Sequence, residues 1–264
     1  MNDGQESDGT DRPAPDDVLG ELNRSPRIDR LAELPPTEHR LAMRRLAGAA
    51  RRIIELMSSS AADAAELDAA ADRLEEVAAV LAALPSGSTY EGFAEAANAG
   101  EALAERRRLY ETGDPEAWAQ FDFSPFIGLA NPMSPPLVLR HEDERIVADV
   151  TFGSAYEGPP SCVHGGYVAA AFDEVLGAAQ SLSGTQGMTA SLRVDYRSPT
   201  PLHQPLVVTA WLDRREGRKI WVRGEMLAGE RLTAEAEGLF IAFDPEKFLA
   251  LLAARADQQG QVDR

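Results

Sequence analysis

Tyr156-Glu-Gly-Pro-Pro-Ser-Cys-Val-His164-Gly165-Gly166 runs without a break into an apolar segment that carries Asp173, nine residues past His164. Prolines and glycines hold the backbone extended and turning, and His-Gly-Gly then opens a helix. The first-turn amides of that helix have no intrahelical partner and carry partial positive charge. Such an end stabilises an oxygen that is becoming an anion. Glycine at 165 and 166 leaves the amides open to close approach. Asp173 sits among Ala169, Ala170, Ala171, Phe172, Val175 and Leu176, where a carboxylate can serve as a base for water. An anion-stabilising helix start and a carboxylate on one element suit acyl transfer.

Each of these residues also has a plain structural reading. His164 could simply cap the helix, and Thr189 could be an ordinary strand residue satisfied by a neighbour. Glu174 is expected to be an exposed helix acid. Cys162 shares a face with His164 in an extended chain, but no third group orients it as a nucleophile, and a small buried thiol is the favoured alternative. His39, His141, His164 and His203 lack metal-ligand spacing, so the sequence suggests neither a metal nor a cofactor.

The elements that must position these groups follow from periodicity. Residues 1–25, rich in Asp, Gly, Pro and Ser, read as a disordered acidic tail. Residues 26–120 read as a helical extension. A helix after Pro35-Pro36-Thr37 repeats Ala42, Leu46, Ala49, Ile53 and Leu56, with Arg40, Arg44, Arg45, Arg51 and Arg52 on its other faces. A second, Ala61 to Leu84, repeats Leu67, Ala70, Leu74, Val77, Leu81 and Leu84 in alternating steps of three and four. The two are expected to pack as a hairpin through Met57-Ser58-Ser59-Ser60, and Phe93 to Thr112 is expected to form a third helix. A DNA-reading role for the arginine-bearing helix would need a compact third helix and a basic setting, and the surrounding sequence is acidic.

Residues 121–245 change character. Phe121 to Pro136 is a proline-rich entry loop, and strands are expected at Leu137–His141, Arg145–Phe152, Met188–Arg197, Leu206–Arg214, Lys219–Leu227 and Leu232–Phe243. The central helix runs from Gly166 to Ser183-Gly184 and turns Val168, Ala171, Phe172, Val175, Leu176 and Ala179 inward. One long helix against about six mostly antiparallel strands is an α+β architecture. Residues 246–264 read as a closing helix, capped by Asp244 with Pro245 in its first turn, and a frayed tail.

The net charge of −17 argues against nucleic acid or anionic lipid as a partner. No apolar run is long enough for a membrane span, and the N-terminus lacks a signal-peptide pattern, which makes the cytoplasm the expected compartment. A single cysteine, Cys162, allows no internal disulfide.

The stretch Gly158 to Gly166, with Asp173 downstream, and the strand Met188-Thr189-Ala190-Ser191-Leu192-Arg193-Val194-Asp195-Tyr196-Arg197-Ser198-Pro199 together resemble the hot-dog-fold acyl-CoA thioesterases of the PaaI-like and thioesterase-superfamily-member-4-like group. Asn131-Pro132-Met133-Ser134-Pro135-Pro136 is similar to a segment of the same group. The resemblance covers about residues 122–245 and says little of the helical extension. It implies a sheet wrapped around the central helix, an acyl-CoA substrate, and a homodimer or a dimer of dimers with the site at the dimer interface. It further implies that Gly165 offers its N–H to the thioester carbonyl, with Gly166 and Val163 beside it and His164 assisting. Asp173 from the neighbouring subunit would be general base or nucleophile, Thr189 would hold the water or Asp173, and Ser191 and Arg197 would contact substrate. Some relatives carry a side-chain amide where this sequence has Gly158, so one carbonyl donor is missing here. A non-catalytic acyl-CoA sensor is therefore the competing expectation, while a hydratase lacks the Asp and His pair it would need.

Overall fold

The computed structural model describes residues 38–85, 122–185 and 187–242. The expected acidic tail, the helix from Phe93 to Thr112 and the helix starting at Asp244 lie outside the described residues. In chain order the elements are α1 (Glu38–Ser58), α2 (Ala64–Ala82), β1 (Val138–Glu142), β2 (Arg145–Val150), α3 (Gly165–Ala179), β3 (Gly187–Tyr196), β4 (Leu206–Glu216), β5 (Lys219–Ala228) and β6 (Arg231–Ala242). Single 3₁₀ turns at Ser154–Tyr156 and Gln180–Ser183 lead towards and away from α3. None of the described helices is long and apolar enough to cross a membrane.

The six strands form one antiparallel sheet in the order β1-β2-β4-β5-β6-β3, curved around α3 in the expected hot-dog arrangement. Strands β4, β5 and β6 are consecutive hairpins, because Gly217 and Gly229 adopt φ of 58° and 60°, a left-handed turn conformation that other residues resist. The sheet's concave face and one stripe of α3 make the core: Val168, Phe172, Val175 and Leu176 meet Leu206, Val208, Ile220, Val222 and Phe240, all at most 1% exposed. Gly224 of β5 lets the helix sit close, since a Cβ there would lie 3.2 Å from Leu176 and 3.4 Å from Phe172. Phe172→Ala should cost about 3–5 kcal/mol of stability, measurable as a shift in the urea midpoint, because the cavity would open beneath the sheet's centre.

The two edges of the sheet differ. Strand β1 has five residues, and Arg140 lies along it, paired to Glu142 at 2.6 Å and to Asp149 of β2. Strand β3 has ten residues, with no neighbour on its outer side among the described residues.

The helical extension departs from expectation. The arginine face of α1, rather than its leucine stripe, turns towards the entry loop and the turn at Ser154–Tyr156. Arg40 and Arg44 donate to the carboxylate of Asp122 at 2.9 and 3.0 Å. Asp122 is only 4% exposed, a burial tolerable for a carboxylate because it is paired. Arg51 donates to the carbonyls of Leu129 and Asn131 at 3.0 and 2.7 Å. Glu55 accepts from the Ser154 N–H and hydroxyl at 2.7 and 2.9 Å. The long arginine stems cover apolar surface while their heads find acceptors. Helix α2 begins with a capping box between Asp63 and Glu66 and buries none of its residues. No α1–α2 hairpin forms: Leu46, Ile53 and Leu56 of α1 remain 41%, 37% and 57% exposed.

Candidate active site

The loop before α3 is held by short-range bonds that its prolines and glycines make possible. Glu157 and Val163 bridge across it, the Cys162 N–H donates to the Pro159 carbonyl at 2.9 Å and the Gly158 N–H to the Cys162 carbonyl at 2.9 Å. Ser161 takes a left-handed φ of 62°, and its N–H donates to Glu157 Oε1 at 2.6 Å. Cys162 is half-buried on this loop. Gly158 is confined: a Cβ there would stand 2.7 Å from His164 Cα. No side chain, and so no amide donor, fits at 158 without moving the loop.

His164 is the N-cap of α3, with φ −59° and ψ 131°, and its Nδ1 accepts from the Gly166 N–H at 3.0 Å. An accepting Nδ1 fixes the proton on Nε2, which points the ring's remaining donor away from the helix. With Gly166 engaged, the Gly165 N–H has no acceptor among the described residues. The Gly165 carbonyl, by contrast, accepts from Tyr196 Oη at 2.8 Å. Beside His164, Tyr167 meets Tyr156 edge to face at 4.9 Å. Burial pushes the Tyr156 hydroxyl up to about 12, and it donates to the Met133 carbonyl at 3.3 Å.

Asp173 is exposed on α3, and its Oδ1 accepts from Thr189 Oγ1 at 2.9 Å. Thr189 lies on the outermost strand and registers with buried Phe240, which places it on the helix side of the sheet. The structure thus forms two clusters from the expected residues, His164 with Gly165 and Gly166, and Asp173 with Thr189. Eight residues of helix at 1.5 Å each set them about 12 Å apart along α3.

Three expected substrate residues stand apart. Val163 is 4% exposed and packs in the core. A bulge falls between Thr189 and Ser191, so Ser191 pairs with Leu239 and faces the opposite side of the sheet from Thr189. Arg197 lies on that outer face too, bonded to Glu235 at 2.5 Å, beside a shallow cavity of about 280 Å³ lined by Arg193, Asp195, Arg223 and Glu237 among others.

Glu174 is not the exposed acid that was expected. It is half-buried, and Oε1 accepts from Ser124 Oγ of the entry loop at 3.3 Å. Burial, with a smaller contribution from Asp173, raises its carboxyl from 4.5 to about 7, although the Ser124 bond pulls the other way. Its folded value lies above its unfolded one, so the contribution of this group to stability is fully present below about pH 4.5 and is lost as pH rises through about 7. Glu174→Gln should therefore stabilise the fold by about 1–2 kcal/mol at pH 8, after discounting for its partial exposure, and by nothing near pH 4. Urea titrations at the two pH values measure the difference. Tyr196, Tyr156, Ser124 and Glu174 are given no site role by the sequence; the hydroxyl at Tyr196, on the strand face that alternates inward with Leu192 and Val194, is the one available hint.

The thioesterase superfamily model matches residues 161–235, from the loop before α3 to the first residues of β6. An acyl-coenzyme A thioesterase, THEM4, of Bos taurus is 35% identical over 114 residues, 42% of this chain and 47% of that protein. The protein of the same name in Rattus norvegicus is 36% identical over 107 residues, 40% of this chain and 46% of the relative. The chain thus spans about half the length of the curated relatives it matches. A crystal structure described as a thioesterase superfamily protein aligns over 79% of this chain and 97% of its own, with a TM-score of 0.59 and 32% identity. With a matched domain over the helix that carries His164 and Asp173, and a relative covered almost end to end, this chain belongs to the thioesterase superfamily.

Proposed function

We propose that the chain is an acyl-CoA thioesterase whose site is shared by two protomers. The observation that carries this reading is the separation of the two clusters on one helix. The open Gly165 N–H and the Asp173–Thr189 pair are about 12 Å apart along α3, too far to act on one carbonyl from the same chain. Strand β3 offers a ten-residue edge whose outer N–H and C=O groups pair with no strand among the described residues and can pair with the same strand of a second copy. Pairing there brings Asp173 of one protomer towards Gly165 of its partner.

In that arrangement the thioester oxygen accepts from the Gly165 N–H. Asp173 takes a proton from a water held with Thr189, and the hydroxide oxygen bonds to the carbonyl carbon. The tetrahedral oxyanion collapses, the C–S bond breaks, and coenzyme A leaves as a thiolate that takes up, by way of solvent, the proton Asp173 gives back; the acyl group leaves as the acid. The Nε2–H of His164 supplies the second donor in place of the amide that Gly158 cannot carry. A thioester carbonyl is already electrophilic, so one backbone amide, one imidazole and one base are a sufficient set.

The crowding at Gly158 favours a second reading, an acyl-CoA sensor that binds without turnover, since a single backbone donor stabilises an oxyanion less than two. Purified protein with acyl-CoAs of graded chain length and aromatic acyl groups, followed with a thiol-detecting reagent, separates the two. Release of coenzyme A saturating with substrate supports the enzyme. Tight binding of intact acyl-CoA with release at the uncatalysed rate supports the sensor.

A further inference from the structure

Helices α1 and α2 are each about three heptads long, and each has an apolar seam that the other described residues leave exposed. On α1 the seam includes Leu46, Ile53 and Leu56; on α2 it includes Leu67, Val77 and Leu81, which are 47%, 51% and 41% exposed. Both repeat in steps of four and three, the spacing of helices that pack against one another. The charges beside the seams are opposite in sign and equal in spacing. Arg45 and Arg52 flank the α1 seam, seven residues apart, and Asp68 and Glu75 lie beyond Ala71 and Ala78 on one side of the α2 seam, also seven apart. None of these four charged residues makes an ion pair among the described residues.

Direction decides which chain supplies the partner. On α1 the arginines occupy the flank just before the seam; on α2 the small alanines and the acids beyond them occupy the flank just after it. Those flanks meet when the two helices run parallel, as in a parallel coiled coil. An antiparallel pairing would set Arg45 and Arg52 against Glu66 and Arg73, one attraction and one repulsion. Within one chain a parallel pairing is out of reach. The connector Ser59 to Asp63 spans at most about 18 Å, whereas returning to the start of α1 requires about 32 Å.

We propose that α2 of one protomer lies parallel along α1 of a second copy of this chain, seam to seam, with Arg45 and Arg52 reaching across Ala71 and Ala78 to Asp68 and Glu75. Two copies exchange the contact reciprocally, so the interface closes on a two-fold axis. The arginine face of α1 stays free to grip Asp122 and the 129–131 carbonyls of its own chain, because it is the opposite face of the helix. The interface does not depend on the activity proposed above.

The test uses full-length protein in a Cys162→Ser background. Two differently tagged versions, one Arg52→Cys and one Glu75→Cys, are co-expressed and treated with a short bismaleimide. The expected product is a covalent dimer carrying both tags. Leu74→Asp with Val77→Asp on the Glu75→Cys chain should abolish it while leaving the sheet's circular dichroism intact, and Arg45→Glu should reduce it. A double variant, Arg52→Cys with Glu75→Cys, that crosslinks only within single chains overturns the proposal. So does a doubly tagged product that survives the aspartate substitutions, or the absence of any such product from well-folded protein.

Discussion

Asp173→Asn is expected to lower kcat for acyl-CoA hydrolysis by about 10²–10⁴-fold with little change in KM, the loss that follows removal of a positioned base. The substitution keeps the side chain's shape, and Asn can still accept from Thr189 through its carbonyl oxygen, so the 2.9 Å bond to Oγ1 has a counterpart. Because Asp173 is exposed in the protomer, the fold should lose nothing, and the urea midpoint provides the control. Steady-state release of coenzyme A measures the effect. A single turnover in ¹⁸O-labelled water distinguishes the two roles open to this carboxylate, since label appears in Asp173 itself only if it has acted as the nucleophile. An unchanged kcat in Asp173→Asn would remove this residue from the mechanism.

Gly165→Pro should be nearly as damaging, about 10²–10³-fold in kcat, for a different reason. Proline at the first position of a helix is tolerated, because that N–H has no intrahelical acceptor and the ring's fixed φ suits the turn. The residue before it must be extended, and His164 already is, at φ −59° and ψ 131°. The variant thus deletes one hydrogen-bond donor, the one assigned to the oxyanion, with the helix start retained. Gly165→Ala is the matched control: it keeps the N–H and adds a Cβ that meets only the tip of Tyr196, at 3.2 Å. The pair of inactive variants also tests the shared site. In a dimer of one Asp173→Asn protomer and one Gly165→Pro protomer, one of the two sites has both groups intact, so equimolar subunit exchange should restore about a quarter of wild-type turnover. A site contained within one protomer would restore none.

The central helix, the three-strand meander and the His-Gly-Gly start were legible because local rules agreed with the final fold. Inward residues recur at helical spacing in α3, strands alternate, and glycines stand where φ is positive. Three features were not legible, each for a stated reason. Periodicity says which residues share a face, not which face turns inward, and on α1 the arginine face won because Asp122 and two loop carbonyls offered acceptors to its guanidinium groups and Ser154 offered two donors to Glu55. Asp173 and Glu174 are neighbours in one apolar helix. Only the position of Ser124, fifty residues earlier, decides that the second is covered and the first open. The bulge after Thr189 was invisible as well, and an unbroken alternation would have put Ser191 beside it on the helix side of the sheet.

The unequal borders of the sheet govern how far association can proceed. A border five residues long that carries the Arg140–Glu142 ion pair discourages a newcomer strand, whereas the far border, twice that length, is the one the proposed dimer uses. A chain with a single receptive border can add one neighbour and then has no border left to offer. Strand addition is therefore self-limiting, and growth into ribbons or fibrils is blocked by the arrangement of the strands themselves.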